Sequence, residues 1–421
     1  MEKYLERLID SSMEFALQSK GCVVIEGPKW CGKSTTSRRF AKTIVELQHP
    51  ITFKTYKIYA DSGDPALLAG NKPLMFDEWQ KLPDLWDYIR AEIDRQQARG
   101  WFILTGSAKP IENNGRHTGI GRMKKLVMRP MSMWESQESN GKISLEEIFT
   151  GKSVGGKCDK SLKDIAHILC RGGWPQAVTE KNSKIALKAA KDYIETLVEA
   201  DITDVDGIKR NPASARAILR AYARNVSASA KLLTLQKDME ANQVLLDIRT
   251  VDSYINAFKK LFVFEDVEAW SPRLRSKAIL RTADTRQFVD PSIAASLLDA
   301  NADDLINDLN TFGLLFESLC IRDLRVYAEK IDGKLFNYRD SRGLETDAII
   351  HLDNGKWGAV EIKLGGEEAI EEGVKTLLKL REAVDIDKMS APAFLMVLVA
   401  TGYAYKRPDG VLVVPIGCLK N

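Results

Sequence analysis

Two stretches near the amino terminus combine glycine, lysine and acidic residues at spacings that suit phosphate chemistry. The first reads GCVVIEGPKWCGKST, an apolar run followed by the Walker A pattern GxxxxGKS, after which a helical pattern runs from Thr35 to about Leu47. Gly27 and Gly32 let backbone N–H groups face a phosphate, Lys33 reaches the outer phosphates, and the Ser34 hydroxyl ligates Mg²⁺. A chance match on a glycine-rich turn is the alternative. The predicted ATP-binding residues are Gly27, Pro28, Lys29, Trp30, Cys31, Gly32, Lys33, Ser34 and Thr35.

The second stretch reads PLMFDE and is an apolar run that ends in two acids. Asp77 is predicted to hold magnesium, and Glu78 to polarise an attacking water as a general base. Two acids after a strand are also typical of a helix cap. Behind a Walker A loop they indicate a Walker B motif, and the two motifs together predict ATP hydrolysis.

The run WFILTGSA has the pattern of a buried strand with polar residues at its tip. Thr105 or Ser107 is the candidate for orienting the water beside Glu78, and a plain strand-to-turn transition is the alternative. Further along, Arg122 is a candidate arginine finger, with Arg116 as the second choice. Such a finger completes the site of a neighbouring subunit. A solvated surface arginine is the alternative here.

Four residues near the carboxyl terminus form a second candidate site. Glu317 lies in an apolar helical pattern, Asp347 lies in a strand-like run, and Glu361 and Lys363 follow a hairpin turn at residues 353–355. This is the order of a PD-(D/E)xK nuclease, in which the three carboxylates hold magnesium and the lysine polarises a water. Acids that alternate on a strand are more often a solvated face, so cleavage stays open. Glu345 is a supporting candidate.

One segment in the middle of the chain carries an excess of positive charge. Between Lys209 and Arg281 there are 14 basic and 7 acidic residues, whereas the net charge of the whole chain is only +3. Three helical patterns followed by basic residues suggest a winged helix, which would bind DNA through phosphate contacts. A packing module with solvated charges is the alternative. The candidate contact residues are Arg249, Ser253, Asn256, Lys259 and Lys260 on the third helix, and Arg273, Arg275, Lys277 and Arg281 after it.

Ten runs spread along the chain carry a family resemblance: GPKWCGKST, LMFDEW, FILTGSA, RPMSMWE, GGWP, TVDSYINAF, FVDPSIAASLL, FGLLFESL, YRDSRGLETDAII and VEIK. Together they resemble a widespread prokaryotic family of AAA+ ATPases that carry a carboxyl-terminal domain of unknown function with a restriction-nuclease-like core. The resemblance implies ATP and Mg²⁺ as cofactors. It also implies a homo-oligomer, because an arginine finger comes from a neighbour.

Composition favours a folded protein of the cytoplasm. Hydrophobic residues make up 44% and charged residues 28% of the chain, as in ordinary globular proteins. The charged, amphipathic start of the chain is unlike a signal peptide, and no apolar run has the length of a membrane span. The six cysteines show no CxxC pairing, so the pattern suggests neither a disulfide framework nor a zinc site. We therefore expect a cytoplasmic protein with no membrane partner.

The expected fold class is α/β, with three units in a chain of 421 residues. They are an AAA+ P-loop domain over residues 1–160, a helical and winged-helix domain over 161–285, and a PD-(D/E)xK nuclease-like domain over 286–421. The leading hypothesis is an ATPase that couples its nucleotide state to DNA handling. The alternative is an ATP-dependent switch or scaffold that binds a protein or DNA without cleaving anything. A small-molecule kinase is disfavoured because Glu78 suits water activation.

Overall fold

The computed structural model describes residues 4–107, 119, 121–271, 284–340, 343–384 and 389–421. Its amino-terminal part alternates short strands with helices. The elements are α1 (Ile9–Ser19), β1 (Cys22–Glu26), α2 (Lys33–Arg38), β2 (Thr43–Glu46), α3 (Pro50–Ser62), β3 (Leu74–Asp77), α4 (Leu85–Gln96), β4 (Phe102–Gly106) and β5 (Met123–Val127).

These five strands form one parallel sheet in the order β2-β3-β4-β1-β5. The central strands β1, β3 and β4 are buried along their whole length and are mainly apolar, because helices cover both faces. In β1, Cys22 and Val24 lie in one apolar cluster, and Val23 and Ile25 lie in another on the opposite face. Because all five strands are parallel, the ends of β1, β3 and β4 meet at one edge, which is where ligands bind in such sheets.

The helix after the phosphate loop is shorter than the sequence pattern predicts. A helix from Thr35 to about Leu47 was expected, but α2 ends at Arg38 and β2 begins at Thr43. The run Thr43-Ile44-Val45 consists of β-branched residues, which favour an extended strand. Tertiary pairing of β2 with β3 decides the outcome in favour of the strand.

The middle of the chain is helical. It begins with two short strands and a helix between them, and it continues as a helical array. The elements are β6 (Ile143–Ser144), α5 (Leu145–Phe149), β7 (Gly156–Cys158), α6 (Leu162–Arg171), α7 (Pro175–Thr179), α8 (Ser183–Ala186), α9 (Ala189–Thr196), α10 (Ile202–Asp204), α11 (Pro212–Arg224), α12 (Leu232–Ala241), α13 (Ile248–Lys260), α14 (Pro291–Leu297) and α15 (Ala302–Asn307). A π-helical turn over Leu197–Asp201 joins α9 to α10.

Helices α11, α12 and α13 lie where the sequence predicts three helices. They are followed by two antiparallel bridges, between Phe264 and Phe288 and between Val267 and Thr285. Buried Tyr222 stacks on Phe264 with ring centroids 3.6 Å apart, so the bridged segment packs directly on the helices.

The carboxyl-terminal part has the element order of one long helix, three strands, a helix and further strands. The elements are α16 (Leu309–Lys330), β8 (Gly333–Arg339), β9 (Glu345–Leu352), β10 (Trp357–Lys363), α17 (Glu367–Ala383), β11 (Phe394–Val399), β12 (Gly402–Lys406), β13 (Leu412–Pro415) and β14 (Leu419–Lys420). The first three strands pair antiparallel, whereas β11 runs parallel to β10.

Strand pairing in the structure crosses the predicted boundary at residue 160. Strand β7 pairs with β12 and completes a seven-stranded sheet in the order β7-β12-β13-β11-β10-β9-β8, and β6 pairs with β14. Helices α14 and α15, which follow the predicted boundary at residue 285, pack against α6, which precedes it. One apolar cluster runs from the middle helices through α16 to one face of the sheet.

The GGWP turn links the middle of the chain to the segment that follows β5. Met131 N–H donates to the Gly173 carbonyl over 2.6 Å, and Gly173 N–H donates to Asp290 Oδ2 over 3.0 Å. Buried Arg322 pairs with the same Asp290 at 2.9 Å. This turn therefore packs on the segment that follows β5 and on Asp290. None of the described helices combines the length and the apolar character that a bilayer crossing requires.

Candidate functional site

The phosphate loop connects β1 to α2 at the carboxyl edge of the parallel sheet. Its backbone has positive φ at Gly27 (150°), Trp30 (66°) and Gly32 (103°). A Cβ on Gly27 would lie 2.1 Å from the Met128 carbonyl oxygen, so only glycine fits there. Two of the three positions are thus glycines because the tight turn requires them, as the Walker A pattern predicts.

Lys33 is buried, and its ammonium group donates to the Gly27 carbonyl at 2.9 Å and to the Pro28 carbonyl at 2.7 Å. Among the described residues no carboxylate forms an ion pair with it. A buried cation without a counter-ion is costly. A phosphate group in the loop would supply the missing negative charge.

Asp77 ends β3, and its carboxylate is 2% exposed. Its Oδ1 accepts a hydrogen bond from the Ser34 hydroxyl at 2.8 Å and another from the Thr105 hydroxyl. Arg38 Nη2 lies 3.9 Å from the other oxygen, Oδ2. A hydroxyl beside a carboxylate is a ligand pair for magnesium, which prefers oxygen and keeps several waters. The residues of this edge therefore fit a nucleoside triphosphate with Mg²⁺.

Glu78 follows Asp77 in a left-handed backbone conformation, with φ of 57°. Non-glycine residues rarely adopt this conformation, and it turns the side chain away from the strand direction. Glu78 Oε2 accepts a hydrogen bond from the Ser107 hydroxyl at 3.0 Å and another from Gln80 Nε2. Each of the two acids of the Walker B motif thus receives one of its hydrogen bonds from the tip of β4.

The two sensor candidates divide between these two acids. Thr105 is buried and bonds to Asp77, whereas Ser107 is buried and bonds to Glu78. The sequence offered them as alternatives, and the structure places both in the site.

The remaining loop residues face other parts of the chain. Lys29 Nζ lies 2.5 Å from Asp201 Oδ1 in the π-helical turn, and the half-exposed Trp30 ring meets the Tyr193 ring edge-on at 5.8 Å. Tyr193 in turn packs on Trp174 at 4.7 Å. Asp201 and Tyr193 lie more than 140 residues from the loop along the chain, so no local sequence pattern predicts these contacts.

Cys31 and Thr35 have different surroundings. Cys31 is fully buried, and its carbonyl accepts a hydrogen bond from Arg7 Nη1 at 2.8 Å. Arg7 also donates to the Arg129 carbonyl at 2.7 Å and pairs with Glu135 at 2.9 Å, so it ties the loop to the segment after β5. Thr35 is exposed at the start of α2. Sequence analysis missed Arg7 because an isolated arginine near the amino terminus carries no motif.

The arginine-finger candidates receive little support. Arg122 is exposed, and its Nε lies 2.5 Å from Asp94 Oδ1 of α4 in the same chain. That contact suits a surface ion pair, the alternative that the sequence left open. Arg116 lies outside the described residues.

The second candidate site lies on the face of the seven-stranded sheet that α17 covers. Asp347 in β9 and Glu361 in β10 come from adjacent antiparallel strands, and Asp347 Oδ2 accepts a hydrogen bond from the Ile362 amide at 2.7 Å. Lys363 Nζ lies 3.3 Å from Glu361 Oε2. An open pocket of about 750 Å³ contains these three side chains together with Glu345, and Lys379 of α17 lines its rim.

Burial dominates the electrostatics of this pocket. Burial, and next the charge of Asp347, raise the pKa of Glu361 to about 8, although Lys363 opposes the shift. Burial also raises the pKa of Asp347. For Glu317, burial and then the charges of Asp347 and Glu361 raise the pKa well above its ordinary value.

The predicted metal shell of three carboxylates is not assembled. Within the described ranges, no group of three or more His, Cys, Asp or Glu side chains is arranged to hold a metal ion. The reason is topological. Asp347 and Glu361 share the strand parity of Ile349 and Ala359, which pack under α17, whereas α16, which carries Glu317, packs on the opposite face. Burial and then the charges of Asp347 and Glu361 raise the pKa of Glu317, but Glu317 does not form a metal-ligand set with them.

Much of the predicted DNA-contacting face of α13 is engaged within the chain. Lys259 lies 2.8 Å from Asp266 Oδ2, and Lys260 lies 3.9 Å from Asp206 Oδ2. The Ser253 hydroxyl accepts a hydrogen bond from Arg210 at 3.2 Å. Two of its three cations are therefore partly neutralised. The basic residues Arg273, Arg275, Lys277 and Arg281 lie outside the described residues.

Three family models match separate parts of the chain. An AAA domain matches residues 19–137, one domain of unknown function (DUF8612) matches 162–304, and another (DUF4143) matches 312–419. The amino-terminal part is thus similar to AAA domains, which agrees with the predicted P-loop unit. The first match ends before β6, in keeping with the sheet pairing that moves β6 and β7 away from the predicted first domain. Neither of the other two models carries a function.

The chain also resembles proteins from mycobacteria and archaea. One uncharacterised protein of Mycobacterium bovis and one of Mycobacterium tuberculosis are each 23% identical over 375 residues, which cover 86% of this chain and 75% of theirs. A Walker-type ATPase of Pyrococcus abyssi aligns with a TM-score of 0.42 and 14% identity over 70% of this chain and 96% of that one. A signal-transduction ATPase with a tetratricopeptide repeat sensor from Pyrococcus horikoshii aligns with a TM-score of 0.22 and 12% identity, over 92% and 72%. At these TM-scores neither structural likeness bears on function.

Proposed function

We propose that this protein binds ATP with Mg²⁺ and hydrolyses it, and that the nucleotide state controls how the rest of the chain engages DNA. The observation that supports the proposed ATPase activity is the convergence of Ser34, Asp77 and Glu78 at one edge of the sheet. They lie beside the Lys33 ammonium, which forms no ion pair among the described residues. The similarity of residues 19–137 to AAA domains supports it.

Each residue has a distinct role in this proposal. Lys33 exchanges its two carbonyl partners for phosphate oxygens, and Ser34 with Asp77 holds the metal ion. When bound, the ion neutralises developing charge on the phosphates. Glu78 orients the attacking water and accepts its proton, because a carboxylate within reach of that water serves as a general base. Thr105 and Ser107 keep the two acids apart and in place.

The test is magnesium-dependent phosphate release with and without duplex or single-stranded DNA. Lys33→Ala removes phosphate binding, and Glu78→Gln keeps the size of the side chain while removing the base. DNA-stimulated turnover that both substitutions abolish supports the proposal. If the wild type releases no phosphate under any condition yet binds ATP, the protein is a nucleotide-dependent switch instead.

The π-helical turn offers a route from nucleotide to the helical part. Lys29 and Trp30 sit in the loop that would surround the phosphates, yet their partners Asp201 and Tyr193 belong to α9 and the turn that follows it. Single π turns inside helices occur frequently at functional sites. Reordering of the loop by ATP would change both contacts. The helices that connect these contacts to α13 share one apolar cluster with α13.

A second activity, metal-dependent cleavage of a phosphodiester, is favoured by the pairing of Lys363 with Glu361 beside Asp347. Two carboxylates and a lysine on adjacent strands suffice to hold a cation and polarise a water. The opposing observation is that Glu317 does not join them. Incubating the protein with plasmid or linear DNA in Mg²⁺ or Mn²⁺ tests this, with Asp347→Ala and Lys363→Ala as variants. Cleavage lost in both while ATPase is retained supports a nuclease. Binding without cleavage favours the scaffold alternative.

A further inference from the structure

Gln80 stands immediately beside the Walker B acids, yet no motif considered above assigns it a role. It follows Trp79, in a short helical turn that begins after Glu78. Its amide Nε2 donates to Glu78 Oε2, the same oxygen that accepts from the Ser107 hydroxyl at 3.0 Å. Two donors from different elements therefore converge on one oxygen of the proposed general base.

The other oxygen of Glu78 is left available. Within the described part of the chain, Oε1 accepts no hydrogen bond. A carboxylate whose one oxygen is tied by two donors keeps a fixed orientation, and its second oxygen remains free to accept a proton. This is the geometry that a base needs in order to meet a water at one defined point.

The environment of the Gln80 amide argues against a packing role alone. Its Oε1 is buried and finds no hydrogen-bond partner among the residues that the structure describes. A buried amide oxygen without a partner carries a free-energy cost, so such a group calls for an explanation. Rotating the amide would bring Oε1 against the Glu78 carboxylate, where two acceptors repel. The hydrogen bond to Glu78 therefore fixes the orientation of the Gln80 amide, although the amide oxygen is then left without a hydrogen bond among the described residues.

Gly106 makes this arrangement fit. It lies between the two sensor residues at the end of β4, and a Cβ there would approach Gln80 Oε1 to 2.8 Å and Trp79 Nε1 to 3.2 Å. Each residue of the Thr105-Gly106-Ser107 tip thus has its own task. The threonine bonds to Asp77, the serine bonds to Glu78, and the glycine leaves room for the Gln80 amide.

We infer that Gln80 is a positioning residue for ATP hydrolysis, which holds the Glu78 carboxylate in the orientation that activates water. The inference rests on the proposed ATPase function. It assigns to Gln80, two positions after the general base, a share in holding the carboxylate that Ser107 also holds. It also explains why the tip of β4 has a glycine between its two polar residues.

The first experiment compares kcat and the ATP dissociation constant of the wild type with those of Gln80→Leu, which keeps the bulk and removes the amide. Misplacing a catalytic group by about 1 Å can cost about 100-fold in rate, so we expect kcat to fall about 10- to 100-fold while a fluorescent ATP analogue binds with unchanged affinity. Gln96→Leu, the same exchange on the exposed side of α4, serves as the control and should leave both values unchanged.

Two further variants approach the same contact from other sides. Gly106→Ala inserts a methyl group against the amide and should lower kcat in the same way, again without loss of ATP affinity. Because Ser107 donates to the same oxygen, combining Ser107→Ala with Gln80→Leu should cost less than the product of the two single effects. Thermal unfolding of every variant reports whether the fold is intact.

The outcomes separate this inference from the function on which it rests. If Glu78→Gln abolishes hydrolysis but Gln80→Leu retains kcat within about twofold of the wild type, the role of Gln80 is refuted and the ATPase stands. If Gln80→Leu loses ATP affinity and thermal stability together with kcat, its role is structural and the inference also fails. If Glu78→Gln hydrolyses ATP as fast as the wild type, the proposed function itself is wrong.

Discussion

The Ser34 hydroxyl donates to Asp77 Oδ1 over 2.8 Å, although the two residues are 43 positions apart in the chain. The contact exists because β1 and β3 are parallel and flank β4, so that the loop after one strand and the last residue of the other reach the same edge. Thr105, on the intervening strand, donates to the same oxygen. Asp77 is therefore fixed from both sides before any metal ion arrives.

The hydroxyl of Thr105 should matter for turnover more than for nucleotide affinity. Thr105→Val is close to isosteric and removes only this donor. A hydrogen bond to a charged group is worth about 1.5–3 kcal/mol, which corresponds to about a 10- to 100-fold fall in kcat if the orientation of Asp77 matters only at the transition state. Steady-state phosphate release at saturating ATP measures it. Thr105→Ser keeps the hydroxyl and should stay near the wild-type rate, and equal rates for the valine and serine variants would disprove the role.

Two glycines should respond to the same substitution with opposite signs. A Cβ on Gly173 would lie 2.1 Å from the Met131 carbonyl oxygen and 2.7 Å from its amide nitrogen, so the backbone must move in Gly173→Ala. We expect a loss of about 3 kcal/mol in the free energy of unfolding, at the upper end of ordinary overpacking. Gly313 lies inside α16, and apart from its own stretch of helix no atom of the described residues lies within 4 Å of an added Cβ. There alanine should add about 0.5–1 kcal/mol through helix propensity. Urea unfolding of both variants is the measurement, and a neutral Gly173→Ala would contradict the packing account.

The sequence predicts which residues meet at the carboxyl edge of the parallel sheet because its signals there are local. The glycines of the loop, the acids after β3 and the polar tip of β4 each lie within a short run whose residue types the chemistry dictates. Helix α4 likewise has apolar residues at helical spacing, and the structure buries them: Leu85, Trp86, Ile89 and Ile93. The helix after the loop is shorter than the pattern predicts because the β-branched run Thr43-Ile44-Val45 forms a strand instead.

The relationships between units could not be predicted in the same way. Strand β7 completes a sheet whose other members lie at least 170 residues further along, and three residues of strand carry no signal of their partner. Glu317, Asp347 and Glu361 have the order of a nuclease site, but order along the chain does not specify which face of the sheet each carboxylate occupies. The contacts of Lys29 and Trp30 depend on tertiary packing alone.

The ion pair between Asp206 and Arg210 should make stability depend on pH in a defined direction. The Arg210 guanidinium donates to both oxygens of Asp206, at 2.6 and 3.0 Å, and the hydrogen bonds to this partner lower the pKa of the carboxyl group. A carboxyl group whose pKa is lower in the folded state stabilises the fold above its unfolded-state pKa of about 3.9, and this stabilisation disappears as the pH falls through the folded-state pKa. Because solvent reaches this partly buried pair and screens it, Asp206→Asn should lower the free energy of unfolding by about 1 kcal/mol at pH 7.

The pH series distinguishes this ion pair from a packing effect. As the pH falls below about 4, where unfolded aspartate protonates, the difference between wild type and Asp206→Asn should shrink towards zero. Urea unfolding at pH 7, 5, 4 and 3 measures it. A difference that stays constant over this range would mean that the asparagine disturbs packing and that the charge contributes nothing.

The contact between Lys29 and Asp201 should couple the phosphate loop to the helical part of the chain. Asp201 is 6% exposed, whereas the Lys29 side chain is 40% exposed, so solvent screens the pair and its coupling energy should be modest, about 0.5–1 kcal/mol. Lys29→Met and Asp201→Asn should each shift the dissociation constant for ATP. If both act through the same contact, the double variant should show less than the sum of the two shifts in free energy. Lys191→Met, an exposed lysine of α9, should leave the affinity unchanged. Additive shifts within about 0.3 kcal/mol would mean that the loop and the π-helical turn respond to nucleotide independently, and the proposed route from ATP to the helices would have to run through Trp30 instead.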